Sequence, residues 1–242
     1  MKDNLKPIKR PKKIISDKFY FYLSKKEITW IIIIIIISSF MSFMPIIPTK
    51  DLLKIITNLM IFSIIILTNI YSKKIISKYY SIRIEHKIWE FNRYWFYKAS
   101  HLKKPFPIGL VIPFFTALLS IGYLKPFLFF QFEAENITSR RILKSRGQRK
   151  AERKDYINEE DLAYTSAAGF YALLLLAIIG SSINWIFGLD FGLELAKYSI
   201  YYGIWNLLPV SNLDGTKLFL GAFLGWIFIL MLYLISLVLI IL

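Results

Sequence analysis

The sequence predicts an all-α polytopic membrane protein carrying a small β element at the membrane surface. Three observations lead there. Of the 242 residues, 56% are hydrophobic, above the roughly 45–50% of an ordinary soluble domain. The apolar residues gather in about six long runs divided by shorter polar stretches. The chain also carries 31 Lys and Arg against 16 Asp and Glu, a formal net charge of +15. Its cations lie beside the apolar runs, where anionic headgroups and the positive-inside rule favour them. Nucleic acid would also suit such a charge. No zinc-finger, RRM or helix-turn-helix pattern accompanies it, so membrane lipids are the expected partner and nucleic acid is not. With no cysteine, disulfides, thiolate metal sites and cysteine nucleophiles are excluded.

Residues 1–27 form a polar arm with nine Lys or Arg and two prolines. The arm is too charged for a signal peptide and reads as cytoplasmic. The integral membrane domain is expected over 28–242. ITWIIIIIIISSFMSFMPII (28–47) is long enough to cross a hydrocarbon core of about 30 Å at about 1.5 Å per residue. After a short turn, LLKIITNLMIFSIIILTNIYS (52–72) predicts a second span. Residues 73–107 hold nine basic and two acidic residues, and IRIEHKIWEFNRYWF (82–96) partly alternates, predicting strand pairs at the membrane surface.

The run PIGLVIPFFTALLSIGYLKPFLFFQF (107–132) is apolar but broken by Pro113, Gly122, Lys125 and Pro126. After a basic stretch with eight Lys or Arg in 133–160, spans are predicted near 162–187, 193–210 and 217–242. Small residues at the start of 162–187 suit close helix packing. If all six runs cross, the basic loops 73–107 and 133–160 fall on opposite sides, against the positive-inside rule. A segment 107–132 that re-enters instead of crossing puts both inside, at the cost of irregular backbone that protein or water must cover. Re-entry is the favoured reading, with six full crossings as the alternative.

The stretch NLLPVSNLDG (206–215) sits between two apolar runs. It resembles the C-terminal motif of the site-2 protease family of intramembrane zinc metalloproteases. That resemblance implies a zinc-ligand position at Asp214, with Asn206 and Pro209 in the preceding stretch that holds substrate as an added strand. NIYSKKIISKYYSIRIEHKIW (69–89) is similar to the region around the family's His-Glu-x-x-His motif, but the chemistry is missing. Asn69 stands for the first histidine, Ile70 for the glutamate and Lys73 for the second histidine. TSAAGFYALLLL (165–176) is similar to the span bearing Gly-Pro-x-x-Asn. It keeps Gly169 and has Phe170 and Leu173 at the other two places.

A hydrolytic zinc needs three protein ligands with a fourth position open to water, and a carboxylate to accept the water proton. Isoleucine cannot accept it, and an ammonium repels the ion. The resemblance therefore implies a degenerate member with no catalytic residue, with Asp214 a relic ligand position. Zinc would be the cofactor only if the family chemistry survived elsewhere. Lys73 has two readings. It belongs to a basic helix end and snorkels to headgroups, which is the default, or it replaces the metal and pairs with Asp214, with Asn69 as hydrogen-bonding third partner.

Other candidates read more plainly. His86 and His101 complete a three-ligand set with Asp214 on paper, but neither has a metal-ligand spacing, so both read as surface histidines near headgroups. Glu133 and Glu135, two apart, do not share a helix face and read as solvated. RRILKSRGQRKAERKDYINEEDL (140–162) reads as a solvated helix or loop, or as a docking surface for an anionic partner. Ser166 has no histidine within sequence reach and gives no support to a serine protease. Asn206 equally suits bridging backbone where Pro209 interrupts a helix. The expected function is an inactive site-2-protease-like protein binding single-span membrane segments, since strand addition works through backbone and needs no metal. The alternatives are an active metalloendopeptidase with other ligands and a lipid- or ion-binding scaffold.

Overall fold

A computed structural model describes residues 22–42, 52–80, 82–93, 101–136, 142–143, 152–153 and 157–241. Most of the expected basic arm lies outside these residues, as do the turn after the first apolar run and much of 137–156. Seven helices and six short strands are described. In chain order they are α1 (Lys25–Ser42), α2 (Leu52–Tyr79), β1 (Ile82–Ile88), β2 (Phe91–Arg93), β3 (His101–Phe106), α3 (Ile108–Leu119), β4 (Phe130–Asn136), β5 (Ile142–Leu143), β6 (Glu152–Arg153), α4 (Glu159–Phe187), α5 (Asp190–Leu207), α6 (Asp214–Gly221) and α7 (Phe223–Ile241). Three of these, α2, α4 and α7, are long and apolar enough to cross a membrane. Their outward faces are apolar too: Ile56, Leu175, Ile178, Leu224 and Leu239 are exposed. Such a surface is the one a membrane protein presents to lipid.

The expected six runs are thus reshaped. The run 193–210 becomes α5, which carries Asp190, Glu194 and Lys197. The run 217–242 is two helices, broken at Ala222, where φ is −153° and ψ is 71°. The run 107–132 doubles back. It enters where the Gly109 N–H donates to the Trp89 carbonyl (2.9 Å) and returns where the Trp89 N–H donates to the Phe129 carbonyl (2.8 Å). Both ends therefore meet at one residue. A Cβ on Gly109 would lie 2.6 Å from the Phe129 oxygen, so only glycine fits where the two arms cross. Between them α3 runs for 12 residues, a turn follows with Ile121 and Gly122 at positive φ, and 124–129 is irregular.

The strands also differ from expectation. Among the described residues of 82–96, which end at 93, β1 finds no partner; its antiparallel partner is β4, from the end of the doubled-back segment, with Arg83 opposite Glu135 and His86 opposite Phe132. The separate ladders β2–β3 and β5–β6 are short. Burial along β1 alternates strictly, Ile82, Ile84, His86 and Ile88 inward, the period a half-buried strand requires.

The core explains why the site is where it is. On α2, Ile61, Phe62, Ile65, Ile66 and Ile70 are buried, three or four residues apart on one face. The same face continues into Asn69, Lys73, Lys74 and Ser77, also buried. A helix stripe that is apolar in its first half is therefore polar in its last turns, and the polar half is carried inside. Against it lies the small-residue start of α4, with Ala163, Ser166, Ala167 and Gly169 buried. Gly188 at positive φ closes α4, α5 begins two residues later, and the two helices return antiparallel.

Candidate functional site

Two adjacent lysines at the end of α2 organise the interior. Lys73 donates to the Asn69 side-chain oxygen at 2.5 Å and to Asp214 Oδ2. Asn69 is one turn back on the same helix face; Asp214 comes from the first turn of α6, 141 residues along the chain. Lys73 is 1% exposed and Asp214 2%. Lys73 does not snorkel: its ammonium is held inside by a carboxylate. Asp214 lies in the first turn of α6, where the helix N-terminus adds positive potential beside its carboxylate.

Gly169 on α4 makes room for this pair. A Cβ there would lie 2.5 Å from Lys73 Cε and 2.9 Å from Asn69 Nδ2. Gly169→Ala is expected to destabilise the fold by about 1–3 kcal/mol through overpacking. Thermal unfolding in detergent would measure this, and an unchanged midpoint would mean that the pair has slack.

The second lysine points to a cluster that the sequence reading missed. Lys74 Nζ donates to Glu27 Oε2 at 2.9 Å. The other oxygen, Oε1, accepts from the His86 backbone N–H at 3.2 Å and faces His86 Nδ1 at 3.0 Å. Glu27 and His86 are each 1% exposed. His86 is therefore no surface histidine, and Glu27 is no member of a solvated arm. Successive helix residues point about 100° apart, so Lys73 and Lys74 reach two different anions. With His86 neutral, the four charges of Glu27, Lys73, Lys74 and Asp214 sum to zero.

His86 is held neutral by its surroundings. Burial, aided by the Lys73 cation, brings its imidazole from 6.5 down to about 4, against the opposing pull of Glu27. For Glu27, burial acts upward, but the hydrogen bonds from His86 and Lys74 win and lower it from 4.5 to about 2. Both shifts act in one direction. Between pH 6.5 and 4 the unfolded histidine takes up a proton that the folded one refuses, so stability falls as the pH falls. Below pH 4.5 the unfolded Glu27 does the same. The histidine window alone is expected to remove about 3 kcal/mol. A melting series from pH 7 to 4 would show it, and His86→Asn should flatten that window.

The β1–β4 sheet is closed at its edges by the same clusters. Because His86 gives its N–H to Glu27 and not to β4, the His86–Phe132 pair is a non-hydrogen-bonded one whose backbone groups face outward. On the far edge Lys217 Nζ donates to the Phe132 carbonyl at 2.5 Å and lies 3.4 Å over the Phe132 ring. Carboxylate thus meets an edge N–H, and ammonium an edge carbonyl. Phe132 is also 5.9 Å from Lys73 Nζ, which ties the sheet to the Lys73–Asp214 pair.

The remaining candidates take ordinary places. Asn206 Nδ2 donates to the carbonyls of Phe127 and Tyr202, both at 2.8 Å, tying α5 to the doubled-back segment. Pro209 lies in a chain of turns where the Val210 N–H bonds Leu208 and the Leu213 N–H bonds Val210. Glu133 pairs with Lys87 at 2.5 Å and Glu135 with Arg83 at 3.7 Å, on the exposed side of the sheet. Ile70, Phe170 and Leu173 are buried core residues. Buried Ser166 Oγ and Asp214 Oδ1 have no hydrogen-bond partner among the described residues. His101 sits in β3, in a different ladder from His86, and its side chain lies outside the description.

The donor set does not fit a hydrolytic zinc. Asp214 Oδ2 is engaged by an ammonium, and His86 Nδ1 is engaged by Glu27. Among the described residues no three His, Cys, Asp or Glu side chains converge. What the arrangement does chemically is hold four charges in the buried interior and present a capped sheet edge beside them. Comparison with protein-family models, curated proteins and solved structures gave no match to the chain.

Proposed function

We propose that the chain is a catalytically silent, site-2-protease-like membrane protein that binds membrane-spanning peptide segments. The observation that carries the reading is the buried contact of Lys73 with both Asp214 and Asn69. In the resemblance, positions 69, 73 and 214 are the three metal-ligand places. Asp214 reaches the Asn69–Lys73 face from 141 residues along the chain, and an ammonium there supplies the positive charge that a metal would.

The doubling back at Trp89 supports the re-entrant topology, with both basic loops and the N-terminus on the cytoplasmic side. Peptide docking would use the β1–β4 edges through backbone hydrogen bonds, a mode that needs no metal. Glu27 and Lys217 occupy the outward groups at His86 and Phe132, so an incoming strand would displace one of them.

The test pairs metal content with capture. Wild type in detergent is expected to hold zinc only at background, while Asn69→His/Ile70→Glu/Lys73→His should take up about one zinc per chain, two imidazoles one turn apart meeting Asp214. A single-span peptide co-reconstituted with wild type, carrying a photo-crosslinker, should be captured at β4 and recovered intact. Stoichiometric zinc in wild type, lost in Asp214→Ala, would instead identify an active metalloendopeptidase. No capture of any span would remove the binding function.

A further inference from the structure

A second region lies at the far end of the molecule from the charge clusters. Lys125, just past the tip of the doubled-back segment, donates to the carbonyl of Ser42 at 2.9 Å. Ser42 ends α1, whose first turn carries Glu27. Fifteen residues of helix separate Glu27 from Ser42, a distance of roughly 22 Å along the axis. That is most of the thickness of a hydrocarbon core. If the sheet stands at one membrane face, the tip stands near the other.

At that end is a cavity of about 730 Å³. Tyr123, Lys125, Glu194, Lys197, Tyr198 and Tyr201 supply its polar groups. Ile200 of α5 and Leu237 and Ile240 of α7 supply an apolar wall. α7 carries no charge along its length, and Leu234, Val238 and Leu239 face outward from it. The cavity is therefore continuous with the surface that lipid chains cover. Tyrosines and lysines grouped at the end of an apolar helix are the composition of the headgroup level.

The charges select the ligand. Lys125 and Lys197 against Glu194 leave one net positive charge, complementary to a single phosphodiester. Lys125 is partly buried, and the Ser42 carbonyl holds its ammonium in place. Lys197 has no ion-pair partner among the described residues. Tyrosine hydroxyls donate to phosphate oxygens as readily as to water. A soluble phosphate would use the cations but leave the apolar wall bare, whereas a lipid uses both.

We propose that this cavity binds an anionic glycerophospholipid, its phosphodiester between Lys125 and Lys197 and its acyl chains against Leu237 and Ile240 of α7. The site lies apart from Lys73 and Asp214, and its occupancy does not depend on peptide binding.

Native mass spectrometry of the full chain, released from nanodiscs of equal phosphatidylglycerol and phosphatidylcholine, tests this directly. One phosphatidylglycerol should remain bound in preference to phosphatidylcholine. Lys197→Gln should weaken its retention about fivefold, the worth of one lysine at an anionic surface. Lys87→Gln, on the sheet at the other end, should leave it unchanged. Lys197 is exposed, so its loss should spare the fold, and an unchanged melting midpoint would verify that. Soluble glycerophosphate at millimolar concentration should not compete. Equal retention of the two lipids, or retention indifferent to Lys197→Gln, would overturn the site. Competition by glycerophosphate would reassign it to free phosphate and overturn the lipid.

Discussion

Asp214→Ala is expected to be among the most damaging single substitutions in the chain, costing about 3–5 kcal/mol. The loss is not the strength of the ion pair itself. Two charges brought out of water recover in mutual attraction roughly what they lose in hydration, so the intact pair contributes little net stability. Removing one partner is different, because Lys73 is 1% exposed and would be left in the interior without a counterion. Asn69 alone cannot offset it. The distinguishing variant is Lys73→Met/Asp214→Leu, which removes both charges and keeps the volume. It should recover most of the lost stability or exceed wild type, giving a large coupling term in a double-mutant cycle. Unfolding followed by tryptophan fluorescence in detergent would measure all four corners. If Asp214→Ala melted like wild type, the Lys73 ammonium would be reaching water, and the pair would not be sealed from solvent.

Part of this site was legible in the sequence for a physical reason. Asn69 and Lys73 are four residues apart on a helix, so they share a face whatever surrounds them, and Asp214 lies beside a glycine between apolar runs. Both facts are local. The partner cluster is not: Glu27, Lys74 and His86 are separated by 47 and 12 residues, and each looks solvated where it stands. Glu27 follows Lys25 and Lys26 in a basic arm, and a lone carboxylate among cations reads as surface. His86 lies in a strand whose inward face could be assigned only once its partner was known. That partner, β4, was hidden because PFLFFQF is apolar enough for a helix end or a buried strand, and short apolar runs do not distinguish the two. The prolines at 113 and 126 and the glycine at 122 did mark the segment as broken, which is why its return was readable while its pairing was not.

Glu27→Ala is expected to be comparably severe but local in its consequence. One carboxylate serves three buried donors: Lys74 Nζ, the His86 backbone N–H and His86 Nδ1. Its removal leaves an uncompensated ammonium and two unsatisfied N–H groups, a cost of about 3–5 kcal/mol from the charge alone. Lys74 also donates to the Tyr22 carbonyl at 3.2 Å, but a neutral carbonyl does not cancel a charge. The least costly relief is for the first turn of α1 to leave the sheet and let water reach Lys74. The core formed by α2, α4 and α5 would then stay folded, because Lys73 and Asp214 do not touch Glu27. Hydrogen exchange separates these outcomes, since local opening exposes amides at less than the global unfolding free energy. The His86 amide and the start of α1 should lose protection in Glu27→Ala while the Ile61–Ile70 stretch of α2 keeps it. Glu27→Gln should fall between, because its amide oxygen still accepts from His86 while its NH₂ opposes Lys74. Uniform loss of protection along α2 would mean that the two clusters are one cooperative unit and that α1 cannot move without the core. Full protection at His86 would mean that the sheet edge is closed by packing and not by the carboxylate.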